Sequence, residues 1–94
     1  FEGFIQIEKQ GTYEFQTTSD DGSRLLIDGF PIVNNDGLHS RKTVSGDIPL
    51  KAGLHEIEIH FFERGGQESL EVKWKGPNFD WRRIPAFRLF KTRD

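Results

Sequence analysis

The sequence predicts an antiparallel, jelly-roll-like β-sandwich. Apolar residues recur with period two, turn-forming glycines follow one another about every ten residues, and no segment has the amphipathic pattern of a helix. The 94 residues are enough for one domain, which we assign to residues 1–94. Nine Phe residues supply apolar area for two packed layers.

Apolar and charged side chains alternate most clearly in residues 13–17, 57–61 and 70–75. Each segment places apolar side chains on one face of a sheet and polar ones on the other. Pro85 lacks a backbone N–H, so the segment that contains it is typical of an edge strand or an irregular stretch. The further predicted strands are residues 1–7, 46–50 and 84–90.

Asp28-Gly29 separates the apolar segments 25–27 and 31–33. This pattern predicts a β-hairpin, because both central residues of its tight turn need a positive φ angle. The other predicted turns are Ala52-Gly53 and Gly65-Gly66, and the longest predicted loop is residues 34–45.

Composition excludes several classes of function. The formal net charge is −2 and the basic residues are not clustered, so we expect no nucleic-acid partner. The absence of Cys excludes disulfides and thiolate metal sites. No long apolar run is visible, so we expect no membrane insertion. The chain has no Met, even at position 1, and we expect it to be part of a longer protein.

No catalytic constellation is visible in the sequence. The three His residues lie in separate predicted elements and none has a visible Ser or Cys partner. A glycosidase needs two carboxyl groups about 5–9 Å apart across a cleft, which the adjacent Asp20 and Asp21 cannot provide. We therefore expect no enzyme activity in this chain, and any hydrolase activity would belong to the rest of a parent protein.

An ordered set of short segments carries a family resemblance. The set consists of FEGFI (1–5), GTYEF (11–15), TTSDDGSRL (17–25), IDG (27–29), NDGLH (35–39), LKAG (50–53), FFE (61–63), LEVKW (70–74) and GP (76–77). In this order and spacing the chain resembles the PA-fourteen domain, named after a bacterial toxin's protective antigen, over nearly its whole length. The resemblance implies a β-sandwich accessory module that usually binds sugar with the help of calcium. Complete members have additional strands before the segment equivalent to residue 1, so we expect a core fragment or a short version.

Asp20 and Asp21 are the main candidates for a binding site. Adjacent carboxylates in a loop repel each other unless a cation or hydrogen-bond donors offset their charge, and calcium takes six to eight oxygen ligands. In sugar-binding relatives the aligned pair is joined by a cis peptide, and both carboxylates face calcium and two sugar hydroxyls. The alternative is an Asx turn, in which Asp20 accepts backbone N–H bonds and Gly22 takes a positive φ angle.

A second loop would have to complete a calcium site. In sugar-binding relatives the loop equivalent to residues 63–68 supplies an Asn, but this loop has none. Glu63, Gln67 or Glu68 would then supply the side-chain oxygen, and an ordinary hairpin turn is the alternative. Asp36 would orient a sugar hydroxyl if its loop folds toward Asp21, and its alternative role is turn formation.

Aromatic side chains are candidates for stacking on a sugar ring. Trp81 and Phe79 follow Gly76-Pro77 in a predicted loop, but both would equally close one end of the sandwich, and we favour packing. Phe30 lies at the predicted hairpin tip. Trp74 is in phase with the apolar residues of its strand and is predicted to lie in the core.

These observations predict a non-catalytic carbohydrate-binding module of a larger extracellular, cell-surface or periplasmic protein. The expected partners are a glycan and the other domains of the parent chain. A structural or protein-interaction module with no ligand of its own is the alternative. The expected calcium ligands are Asp20, Asp21 and Glu63, and the expected sugar contacts are Asp20, Asp21, Asp36, Gln67 and Trp81.

Overall fold

The computed structural model describes residues 2–19, 22–35, 42–61, 70–84 and 89–90. These residues form strands and turns, and no helix occurs among them. The strands are β1 (Glu2–Ile7), β2 (Gly11–Ser19), β3 (Ser23–Ile27), β4 (Phe30–Asn35), β5 (Lys42–Leu50), β6 (Gly53–Phe61), β7 (Leu70–Gly76), β8 (Phe79–Arg83) and β9 (Leu89–Phe90). Within this part of the chain, no segment has the helical length and apolar character needed to cross a membrane.

The strands form two antiparallel sheets, which confirms the predicted β-sandwich. The five-stranded sheet has the order β4-β3-β6-β1-β9, and the four-stranded sheet has the order β5-β2-β7-β8. The connection from β2 to β3 and the one from β5 to β6 each lead from one sheet to the other. The sheets therefore face each other, with turns and loops gathered at two opposite ends.

The core lies between the sheets, where the predicted alternation places it. In β2, Tyr13 and Phe15 are buried while Glu14 and Gln16 are only half-buried. Trp74 is 3% exposed, which confirms its predicted core position, and its ring centroid lies 5.6 Å from that of Tyr13. Burying a large apolar side chain contributes about 1.5–3 kcal/mol. The buried apolar residues are Ile5, Ile7, Tyr13, Phe15, Leu25, Ile27, Val33, Leu50, Ile57 and Trp74.

The Asp28-Gly29 hairpin is confirmed. The φ angles of the two residues are 51° and 83°, as a tight turn between right-twisted strands requires. Phe30 follows at the tip and is 64% exposed. The predicted turn at Ala52-Gly53 joins β5 to β6, and Gly53 has a φ angle of 128°. Gly65-Gly66 lies outside the described residues.

Two expectations about loops are wrong. Residues 34–45 were predicted as one loop, but β4 continues to Asn35 and β5 begins at Lys42. The stretch after Gly76-Pro77 was predicted as a loop, but Phe79–Arg83 forms β8. Both β5 and β8 are edge strands of the four-stranded sheet, and an edge strand can form from polar residues because one partner strand fixes it.

The predicted C-terminal strand, residues 84–90, lies only partly in the described residues. There, Leu89–Phe90 forms β9 and pairs with β1 at the edge of the five-stranded sheet, in agreement with the edge position inferred from Pro85. Ile84 lies outside any strand and packs against the core, and residues 85–88 lie outside the described part of the chain.

Gly46 allows the two sheets to approach each other at one edge. A Cβ atom added at this position would lie 2.0 Å from the backbone oxygen of Ile32. Gly46 belongs to β5 and Ile32 to β4, so the contact joins the edge strands of different sheets. No side chain fits in this space, because real Cβ contacts are not found under 3.0 Å.

Candidate functional site at the loop end

The connection between β2 and β3 holds Asp20 and Asp21, for which the sequence predicts a turn, and it joins the two sheets at one end of the sandwich. Ser19 is the last residue of β2 in the four-stranded sheet, and Ser23 is the first residue of β3 in the five-stranded sheet. Both side chains are fully buried, and their hydroxyl oxygens lie 2.9 Å apart. The base of the turn is therefore held together by a buried contact between the two sheets.

Two further loops leave the sandwich beside this turn. Strand β4 ends opposite Ser23 and β5 begins opposite Ser19, so the loop of residues 36–41 starts and ends next to the turn. Strand β6 also ends opposite Ser23, and β7 begins opposite Ser19, so the loop of residues 62–69 does the same. The register of six strands therefore gathers three connections at one end, which we call the loop end.

A buried polar network forms the base of the loop end. The Ser23 hydroxyl donates to Thr17 Oγ1 at 2.9 Å, and both side chains are fully buried. The Asn35 side-chain amide donates to the Lys42 carbonyl oxygen at 2.8 Å and lies 3.4 Å from Ser19 Oγ. Asn35 thus links the two ends of the 36–41 loop to the base of the Asp20-Asp21 turn. Each such buried hydrogen bond contributes about 1 kcal/mol, and leaving one unmade costs about 1–3 kcal/mol.

The alternation in the sequence contained a signal for this network. Thr17 and Ser19 have the same parity as Tyr13 and Phe15, so the period of two directs them into the core. Small hydroxyl side chains at core positions next to a loop indicate a buried hydrogen-bonded network, because buried polar groups need partners. The candidate residues chosen from the sequence did not include these.

Most of the predicted ligands lie outside the described residues. These are Asp20, Asp21, Asp36, Glu63 and Gln67, together with the cis peptide that the resemblance implies between the two adjacent aspartates. The structure describes the strand ends from which they extend, and it brings those strand ends together at the loop end.

Trp81 occupies a different part of the surface. It is half-buried in β8, between the residues that pair with Trp74 and Gly76 of β7. Trp74 follows Leu70, the first residue of β7, by four strand residues, a separation of about 13 Å. The structure therefore does not bring Trp81 together with the strand ends of the loop end. Phe79 is half-buried, and its ring centroid lies 4.8 Å from that of Trp74, which agrees with the packing role that we favoured.

One further group of side chains in the described part of the chain has metal-ligand chemistry. Ligand atoms of Glu2, Glu58 and His60 lie within 4.8 Å of one another. Glu2 and Glu58 are register partners in β1 and β6, and His60 Nε2 lies 3.6 Å from Glu58 Oε2. Exposed groups of this kind are common without an ion, and none of the three is a predicted calcium ligand.

Comparison with known proteins identifies the family. Residues 1–86 match the model of the PA14 domain, which is the PA-fourteen domain of the sequence analysis. The chain belongs to the PA14 domain family. The resemblance carried by the ordered segments is therefore confirmed, and with it the β-sandwich that the resemblance implies.

The chain is similar to parts of longer known proteins. The anti-sigma-I factor RsgI3 of Acetivibrio thermocellus is 27% identical over 91 residues, which are 96% of this chain and 14% of that protein. A solved anti-sigma factor domain-containing protein has a TM-score of 0.88 and 25% identity, over 95% of this chain and 32% of that one. The solved PA14 sugar-binding domain from an RTX adhesin has a TM-score of 0.83 and 22% identity, over 95% of this chain and 51% of that one. This chain therefore spans between 14% and 51% of the length of these three proteins.

Proposed function

We propose that this PA14 domain is a non-catalytic carbohydrate-binding module of a larger extracellular or cell-surface protein. Its glycan binds at the loop end, where Asp20, Asp21 and Asp36 extend from the joined strand ends. The observation that carries the proposal is the convergence of three connections over one buried polar network. The sugar-binding PA14 domain of the RTX adhesin supports it through a shared fold.

The network explains how a shallow site can recognise a sugar. A glycan on an exposed loop surface makes few contacts. Its affinity therefore depends strongly on the conformational entropy that the loops lose when the glycan binds. The network joins the ends of two of the three loops, and loops fixed in this way lose less conformational entropy on binding than independent loops. The expected affinity is weak, and several copies of the module would compensate through multivalency.

Calcium belongs to the same proposal. Asp20 and Asp21 are adjacent, and Glu63 would extend from the end of β6, which lies opposite Ser23 at the base of their turn. Carboxylate oxygens are the ligands that calcium prefers. A shared ion would offset the repulsion between the two aspartates and hold both side chains toward the sugar hydroxyls.

Thermal melting with and without calcium tests the metal part of the proposal. A ligand that binds only the folded state at 100 times its dissociation constant stabilises by about 2.7 kcal/mol. The melting temperature of the chain should therefore rise by about 10–20 °C between EDTA and calcium at that ratio. The variant Asp21→Asn should lose this rise, while Asp47→Asn, which changes an exposed carboxylate of β5, should keep it.

A second candidate function is a structural or protein-interaction module. The observation that favours it is the 62–69 loop, which lacks the Asn of the sugar-binding relatives. A melting temperature that is unchanged by calcium, together with no binding on a glycan array, would favour this second function over the first.

A further inference from the structure

A cavity of about 200 Å³ opens at the end of the sandwich opposite the loop end. It lies beside Tyr13, which precedes Ser19 of the loop end by six residues of β2. Six residues of extended strand span about 20 Å, so the cavity is separate from the proposed glycan site.

Three aromatic residues close the inner side of the cavity, namely Tyr13, Trp74 and Phe79. The ring centroids of Tyr13 and Phe79 lie 6.3 Å apart, and the Tyr13 hydroxyl donates to the Lys9 carbonyl oxygen at 2.6 Å. A Cβ atom added at Gly76 would lie 2.6 Å from the Phe79 ring and 2.7 Å from the Tyr13 ring. The wall is therefore tightly packed and already formed without a ligand.

Two cations border this aromatic wall. The Arg82 guanidinium lies 4.1 Å from the centroid of the Phe79 ring, which holds it in place by a cation–π contact. Among the described residues it has no carboxylate partner, whereas the neighbouring Arg83 pairs with Glu71 at 3.1 Å. Lys9 also lines the cavity, and its Nζ donates to the neutral side-chain oxygen of Asn78 at 3.3 Å.

Several of the polar side chains that line the cavity carry N–H donors, and Gln6 and Glu8 line it as well. Arg82 and Lys9 carry only N–H groups, and the Asn78 amide nitrogen is left to donate when its oxygen accepts from Lys9. Trp74 lines the cavity, and its indole N–H is buried without an acceptor in the described part of the chain. Glu8 also lines the cavity, and it already interacts with another group of the protein.

From this arrangement we infer that the cavity binds a small monocarboxylate whose body is a single six-membered ring. An ionised carboxylate only accepts hydrogen bonds, so it matches a set of donors, and the planar guanidinium can bind it through two parallel bonds. The aromatic wall favours an apolar ring face or edge. A volume of about 200 Å³ is below the range of drug-sized sites, so one ring is the limit.

An NMR titration of the complete chain tests this inference. The chain has two Trp residues, so an ¹⁵N-labelled sample gives two indole N–H signals, and the variant Trp81→Phe assigns them. Glucuronate represents a sugar acid and benzoate an aromatic acid, with glucose and benzyl alcohol as the neutral probes of similar size. EDTA is present throughout, so a calcium site at the loop end does not contribute.

We expect the Trp74 signal to shift saturably with at least one of the two carboxylates, while the Trp81 signal stays nearly constant. Tighter binding of glucuronate would identify the ligand as a sugar acid, and tighter binding of benzoate would identify it as an aromatic acid. The variant Arg82→Gln should weaken binding by about tenfold or more, because it removes a charge-assisted hydrogen bond. The variant Arg83→Gln makes the same change of charge one residue away and should alter affinity less than about twofold.

The variant Lys9→Gln is a second test, because Lys9 lines the same cavity from another part of the chain. It should weaken carboxylate binding even if Arg82→Gln alters the fold. Three results would overturn the inference. The first is no saturable shift of the Trp74 signal with either carboxylate. The second is equal binding of the neutral probes. The third is equal weakening by Arg82→Gln and Arg83→Gln, which would indicate non-specific attraction.

Discussion

Raising the pH from about 5.5 to about 8.5 should destabilise this domain through His55. The imidazole Nδ1 lies 2.6 Å from Asp28 Oδ2, and Nε2 lies 2.7 Å from the Lys51 carbonyl oxygen. Only the protonated ring donates from both nitrogens, so a neutral ring loses one of the two bonds. The contact joins the β3–β4 hairpin to the turn between β5 and β6, and Asp28 Oδ1 also accepts the Glu56 N–H at 3.0 Å.

The direction follows from the pKa of His55. Partial burial alone would lower the pKa of the imidazole, but the hydrogen bonds to Asp28 and Lys51 and the charge of Asp28 raise it above 6.5 overall. A group with a raised pKa in the folded state contributes its full stability below its unfolded pKa. That contribution is lost as the pH rises through the folded pKa. The contribution of His55 to the free energy of unfolding should therefore be larger at mildly acidic pH than at alkaline pH.

The structure sets the size of the effect. A hydrogen bond to a charged group contributes about 1.5–3 kcal/mol when it is buried. The side chain of Asp28 is 41% exposed, so solvent screening reduces this to about 1 kcal/mol. For a domain of this length, 1 kcal/mol corresponds to about 4–8 °C in melting temperature.

The assay is urea unfolding at a series of pH values. The variant Asp28→Asn keeps an acceptor for the Glu56 N–H and tolerates the positive φ angle, but it removes the charge beside His55. It should lose about 1 kcal/mol at low pH and little at high pH. The variant His60→Gln is the control and should keep the wild-type dependence. A difference between wild type and Asp28→Asn that does not change with pH would refute the reasoning.

Three further substitutions have expected outcomes in the same unfolding assay. Asn35→Ala should cost about 1–3 kcal/mol, because it breaks the bond that joins both ends of the 36–41 loop, and it should also increase amide exchange at the loop end. Gly46→Ala should cost at least about 1–3 kcal/mol, because its Cβ would collide with the backbone of Ile32. Phe30→Ser should change stability by less than about 0.5 kcal/mol, because that side chain is 64% exposed, and a larger loss would show that it packs against another part of the chain.

The sequence predicted the architecture because alternation and turn chemistry are local signals. Residues 13–17, 57–61 and 70–75 lie in strands that are central in the sheets, where the inward-facing Phe15, Ile57 and Trp74 are buried and the alternation is clear. The Asp28-Gly29 turn was predictable because few residue pairs adopt two successive positive φ angles without strain.

The strands that were missed lie at the edges of the four-stranded sheet. In β5 only Leu50 is fully buried, and the strand begins with exposed Lys42 and Thr43, so its first half has no strong apolar pattern. In β8 the alternation of Phe79 and Trp81 with polar residues is short and follows directly on Pro77-Asn78. Pairing with β2 and β7 fixes these segments, and such tertiary pairing is not visible in local sequence.

The acidic residues of the candidate site remain a prediction from the sequence, and the buried network beneath them was not predicted. Adjacent aspartates can be recognised in the sequence as candidate ligands because of their charge. The buried polar network cannot be recognised in this way, because it depends on which strand ends meet. Thr17, Ser23 and Asn35 come from three strands in two sheets. Trp81 was grouped with the loop residues because of its aromatic chemistry, and the strand register places it elsewhere.

Glycan binding at the loop end is the central claim, and a glycan array read in calcium and in EDTA tests it most directly. We predict that the wild-type chain and Asp47→Asn bind a defined subset of glycans in calcium. This binding should disappear in EDTA and in a variant that carries both Asp20→Asn and Asp21→Asn. Signals at background for the folded wild-type chain, or equal binding by the double variant, would contradict the claim.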